Sequence, residues 1–67
     1  MDLCQRFGEN VRHFRHKAGV SQEAFADMAN VARSYLSDVE VGRRNPTLRV
    51  VERISFALQV PPSRLLE

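Results

Sequence analysis

Residues 21–40 read SQEAFADMANVARSYLSDVE, and the caps and apolar spacings within them decide the fold. Ser21 carries a hydroxyl suited to capping a helix, and Glu23 sits in the first turn, where the positive end of a helix dipole favours an acid. A helix is expected from Gln22 to Ala29. Asn30 follows, and asparagine is the residue after glycine that most readily takes positive φ, so the chain reverses sharply there. A second helix is expected from Ala32 to Glu40, with Ala32, Leu36 and Val39 on one face and Ser34, Ser37 and Asp38 on the other.

The flanks repeat the helical pattern. At about 100° per residue, Cys4, Phe7, Val11, Phe14 and Ala18 fall in an arc of about 80°, which predicts an amphipathic helix from Asp2 to Ala18. Gly19 stops it by turning left-handed. Downstream, Gly42, Asn45 and Pro46 break the pattern and leave a basic loop with Arg43 and Arg44. Leu48, Val51, Ile54 and Leu58 then mark an apolar stripe, so a fourth helix is expected from Thr47 to Leu58. Pro61 and Pro62 end it, and a proline at a first helical position opens a short last helix through Ser63, Arg64, Leu65 and Leu66. Nothing alternates with the period of a strand, so the expectation is an all-α fold of five helices forming one compact domain over residues 1–67.

Size and composition narrow the function. A chain of 67 residues has no room for a second catalytic module. Its 43% hydrophobic content fills a core, and 27% charge with a net +2 is ordinary for a globular chain rather than a disordered tail. A domain this small buries only about 60% of its unfolded surface, so self-association would add needed stability. No apolar run approaches the roughly 20 residues of a membrane helix, and the N-terminus lacks the segments of a signal peptide, which favours a cytoplasmic protein. Cys4 is the sole cysteine, with no companion for a disulfide or a zinc site. No nucleophile and base pair, carboxylate pair or metal cluster stands out, so neither an enzyme nor a cofactor is expected. His13 and His16 fall opposite the apolar stripe of the first helix and read as solvated surface.

Two short helices joined by a tight turn, the second polar on its outer face, are the parts of a helix-turn-helix. The N-terminus of the first offers free N–H groups and a positive dipole end, so a phosphate docks beside Gln22, whose amide donates as well. Arg33, near the start of the second, has the reach and fork for guanine O6 and N7, a contact worth about 1–3 kcal/mol of base discrimination. Ser34 and Ser37 permit close approach, and Asp38 accepts from cytosine N4 or repels misplaced phosphate; an ordinary solvated face is the competing reading for all three. Tyr35 lies at the flank, either meeting a phosphate and sugar or half-buried at the core edge. Arg43, Arg44 and Asn45 follow the second helix and are placed to grip the DNA backbone, with a solvated loop as the competing reading for the two arginines.

A seam between two copies is also legible. Phe56 projects about 150° from the apolar stripe of its helix and Val50 lies on the border, leaving an apolar patch once the core is filled. With Leu65 or Leu66 these residues form the expected dimer interface. A two-fold dimer presents two recognition helices about 34 Å apart, one turn of DNA.

The string Val11-Arg12-x-x-Arg15-x-x-x-Gly19-Val20-Ser21-Gln22-Glu23 resembles the opening of the Cro/cI-like (XRE) family of bacterial and phage transcription regulators. The likeness continues through Phe25-Ala26, Val31-Ala32-Arg33-Ser34-Tyr35-Leu36-Ser37, Val39-Glu40-x-Gly42, Asn45-Pro46-Thr47-Leu48, Ile54, Ala57-Leu58 and Val60-Pro61. It is nearest in type to short members such as restriction-modification controller proteins and prophage repressors. The resemblance implies a lambda-repressor-like domain and a partly buried ion pair between Arg15 and Glu40. Asn30 stands where the family often has glycine, Phe25 where leucine is usual, which asks for repacking, and Ala32 where many members carry a hydroxyl.

The expected function is therefore a sequence-specific transcription regulator that binds a partly palindromic double-stranded DNA operator as a homodimer. RNA polymerase becomes a partner if the operator lies beside a promoter. Competing readings are the antitoxin of a toxin–antitoxin pair and an adaptor that keeps the fold but binds a protein.

Overall fold

The computed structural model describes residues 2–67, which form five helices and, among those residues, no strand. They are α1 (Leu3–Lys17), α2 (Gln22–Ala29), α3 (Arg33–Glu40), α4 (Leu48–Leu58) and α5 (Pro62–Leu65). The body measures 27 × 22 × 21 Å.

Local chemistry sets most boundaries. Asp2 and Gln5 form a reciprocal capping box at α1, each side chain accepting from the other's backbone N–H, at 2.8 and 3.3 Å. Arg15, His16 and Lys17 close the helix, where cations suit the negative dipole end. Ala18 is the C-cap and exposed, so the apolar stripe stops at Phe14, one turn earlier than its spacing suggested. Gly19 reverses the chain at φ 72°.

Ser21 Oγ accepts from the Ala24 N–H at 3.1 Å and starts α2, which ends at Asn30 in the left-handed region at φ 57° and ψ 48°. Asparagine therefore does here what glycine often does. Ala32 is the N-cap of α3, in extended conformation and with no side-chain hydrogen bond. It is exposed and not part of the core face assigned to it, because a residue outside the helix does not follow helical phase.

The core is Phe7, Val11, Phe25, Ala26, Ala29, Leu36, Val39, Ile54 and Leu65. Each fully buried large side chain contributes about 1.5–3 kcal/mol over leaving it in water. Phe25 is wholly enclosed, so the core has accommodated the larger ring. α1 lies so close to the end of α3 that a Cβ on Gly8 would fall on the Val39 carbonyl oxygen and 2.9 Å from that of Glu40. This contact fixes how α3 is carried.

Thr47 Oγ1 accepts from the Val50 N–H at 3.1 Å and starts α4. Leu48, the first residue of the predicted stripe, is 87% exposed because the helix begins beyond the core's edge. Gln59 ends α4 at φ 59°, a left-handed position that nothing in its residue type announces. Pro62 opens α5, and the Leu65 side chain plugs the core with 0% exposure. Asn10 Nδ2 donates to the Leu65 carbonyl at 2.9 Å and Arg6 Nη1 to that of Glu67 at 3.2 Å, tying the last turn back to α1.

Candidate nucleic-acid interface

The α2 and α3 helices are locked from within by a polar cluster. Arg15 donates from Nε to Glu40 Oε2 at 2.7 Å and from Nη2 to Oε1 at 3.1 Å. Its Nη1 donates to the Val20 carbonyl at 2.9 Å, and Gln22 Nε2 donates to Glu40 Oε1 at 3.1 Å. Arg15 and Glu40 are both buried, so the bidentate pairing and added hydrogen bonds are needed to offset desolvation. The cluster joins the end of α1, the start of α2 and the end of α3. Gln22 is thus half-buried, and its amide, expected to donate to a phosphate, already donates to Glu40 through Nε2.

With Leu36, Val39 and Glu40 turned inward, α3 presents Arg33 and Ser34 fully to solvent and Ser37 and Asp38 in part. Gln22, Arg33, Ser34 and Ser37 line one shallow depression. A second, beside it, is bounded by Gln22, Glu23, Asp27 and Arg33.

The flank of α3 is organised by pairs that sequence distance concealed. The Arg44 guanidinium carbon lies 4.6 Å from the centroid of the half-buried Tyr35 ring, a cation–π contact. Arg43 Nη1 lies 3.8 Å from Asp38 Oδ1. The loop arginines therefore do have an acid beside them, because one turn of α3 brings Asp38 back to the loop that follows it. The Arg43 side chain is 77% exposed, so this long contact is worth about 0–1 kcal/mol and leaves the guanidinium available. Asn45 is exposed and borders an apolar groove with Leu3, Phe7, Pro46, Leu48 and Leu66.

The residues assigned to a seam between copies divide three ways. Phe56 is 85% exposed beside Glu52, Gln59 and Val60. Val50 is half-buried and packs on the core. Leu65 is unavailable to any partner, since the turn of α5 points it inward, whereas Leu66 is exposed but lines the groove with Leu3 and Leu48 rather than the surface around Phe56. Exposed Leu3 was not singled out and Leu48 was assigned to the core stripe; the start points of α1 and α4 leave both at the surface.

Among the described residues no group of three His, Cys, Asp or Glu is placed to hold a metal ion, and no helix is long and apolar enough to cross a membrane. His16 Nε2 accepts from Arg15 Nη2 at 3.2 Å, and His13 meets Phe14 edge-on at 5.3 Å between ring centroids. Cys4 is a free thiol, half-buried.

Comparison with known proteins agrees with this geometry. The helix-turn-helix domain family matches residues 6–67. The control protein C.BamHI of Bacillus amyloliquefaciens is 45% identical over 62 residues, covering 91% of this chain and 76% of that protein. Among solved structures, the restriction-modification controller protein C.AhdI from Aeromonas hydrophila superposes with a TM-score of 0.89 at 35% identity, covering 92% of this chain and 94% of that one. The master regulator for biofilm formation SinR, solved in complex with DNA, superposes with a TM-score of 0.87 at 34% identity, covering 91% and 98%. With its five helices, its α2–turn–α3 unit and these relatives, the chain belongs to the helix-turn-helix family of the Cro/cI-like (XRE) type.

Proposed function

We propose that the chain is a sequence-specific DNA-binding transcription regulator that inserts α3 into the major groove of a partly palindromic operator as a homodimer. The observation that carries this is the division of α3: one side anchored by Leu36, Val39 and the Arg15–Glu40 pair, the other offering Arg33 and Ser34 fully and Ser37 in part. Arg33 reads a guanine edge, and Ser34 and Ser37 let the helix approach closely. Asp38 sits behind them, held near Arg43, and accepts from cytosine N4 where the sequence offers it. Arg43, Arg44, Tyr35 and Asn45 contact the phosphate backbone and supply affinity and salt dependence.

Phe56 centres the interface between two copies, with Val50 at its margin. Their two-fold axis sets α3 and its copy about 34 Å apart. The likeness to control protein C.BamHI, and to SinR solved with DNA, supports the regulatory reading. Residues 1–67 act as one DNA-binding domain without an enzymatic role, and RNA polymerase is a partner where the operator adjoins a promoter.

Selection of bound duplexes from a random library at near-physiological salt tests this reading. Two inverted half-sites about ten base pairs apart, weakened or relaxed by Arg33→Ala, are the expected outcome. A library that enriches no motif would overturn it and turn attention to a protein partner.

A further inference from the structure

α3 ends in a closed turn that decides where Arg43 goes. Gly42, at φ 80°, donates its N–H to the Val39 carbonyl at 3.1 Å, and the Arg43 N–H returns to the Asp38 carbonyl at 2.9 Å. These two bonds make the Schellman pattern, which sets the side chain of the third-last helical residue against that of the second residue beyond the cap. Apolar side chains frequently occupy those two places. Here they hold an acid and a base, Asp38 and Arg43.

The backbone builds this pair but leaves it loosely closed. Arg43 Nη1 lies 3.8 Å from Asp38 Oδ1, too far for a hydrogen bond, with side chains 77% and 39% exposed. Such a contact favours the paired state by no more than about fivefold, so it restrains the guanidinium without locking it. Each partner also has a stronger ligand on DNA. A cytosine amine donates to the carboxylate, which lies one turn on from Ser34, and a phosphate takes the guanidinium. Arg44 differs: it stacks on Tyr35 and makes no ion pair with any described acid.

We infer that Asp38 gates Arg43: paired with it in the free protein, Asp38 holds the arginine back from phosphate until a cytosine amine in the major groove draws the carboxylate off and releases it. This rests on the DNA-reading function proposed above. Where no such amine is offered, the carboxylate stays on Arg43 and opposes the phosphate, whose charge has the same sign. One backbone contact thereby becomes conditional on one base, so it adds to discrimination rather than to affinity for every sequence. Arg44 remains the unconditional clamp.

The test compares the operator selected with the unaltered chain against random duplex. Asp38→Asn keeps the shape of the side chain, the turn's backbone bonds and an oxygen that accepts from cytosine, and removes only the charge. On random duplex it is expected to bind about two- to fivefold tighter, with a salt slope steeper by about 1, the mark of one added phosphate contact. On the operator its affinity stays unchanged, because Arg43 is already released there. Discrimination therefore falls by the same factor. In the Arg43→Gln background the gain on random duplex and the steeper slope both vanish, whereas in the Arg44→Ala background both persist.

An equal gain on operator and random duplex, or a gain that survives in Arg43→Gln, would mark Asp38 as a general repulsive charge and overturn the inference. So would random-duplex binding that Asp38→Asn leaves unaltered. If the unaltered chain enriches no motif, the DNA-reading function itself falls and this inference with it; a clear motif with any of those three results removes only the inference.

Discussion

Arg15 and Glu40 meet through two N–H···O contacts of 2.7 and 3.1 Å across 25 positions of sequence, with side chains 9% and 3% exposed. Because the pair closes α1 against the far end of α3, it sets the angle at which the recognition surface is carried. Removing one partner leaves a buried charge, so Glu40→Ala is expected to cost about 3–5 kcal/mol, read as a lowered denaturation midpoint. Replacing both, Arg15→Met with Glu40→Leu, should recover most of that loss; a double variant as unstable as the single one would contradict this account.

Gly8 allows α1 to lie on the end of α3. A methyl group there meets the carbonyl oxygens of Val39 and Glu40, which are backbone and cannot swing aside. Gly8→Ala is expected to destabilise by about 1–3 kcal/mol or more, despite alanine's better helix propensity, as thermal unfolding followed by circular dichroism would register.

Phe56 is exposed, large and apolar, and is expected at the centre of self-association. Phe56→Glu should shift sedimentation toward monomer while leaving the helical spectrum intact, because no core contact is lost. Operator affinity should fall along with dimer formation. A variant that sediments as the unaltered chain does would exclude Phe56 from the seam.

Arg44 stacks on Tyr35 at 4.6 Å and remains exposed, as a phosphate clamp requires. Arg44→Ala is expected to weaken binding evenly across operator and random duplexes and to reduce the salt slope by about 1, the signature of one lost phosphate contact. Loss confined to one base pair of the operator would instead make Arg44 a reader of bases.

Local chemistry was legible where a residue's own type determines its conformation. Ser21, Thr47, Gly19, Asn30 and Pro62 act over a few bonds, so they announce the starts and stops of α1, α2, α4 and α5 without reference to the rest of the chain. Gln59 shows the limit: it adopts the same left-handed turn as Asn30 with no residue preference to signal it, because the packing of α5 demands the reversal there.

The candidate site was only partly legible, for a related reason. Periodicity places Arg33, Ser34 and Ser37 on an outer face, since that depends on one helix alone. It misplaced Ala32, which lies outside the helix and its phase, and Leu48, and the expected seam misplaced Leu65, because whether an apolar side chain is covered depends on which neighbour reaches it. α5 folds Leu65 into the core, while α4 starts too far out for Leu48 to be covered.

By itself, then, the sequence determined five helices, several of their caps and a polar outer face on α3, because these follow from interactions within a few residues. The tertiary structure alone decided that Gln22 leans on Glu40, that Asp38 lies beside Arg43 and that Arg44 covers Tyr35. Such contacts join different elements, and their existence depends on packing distances that the order of residues does not state.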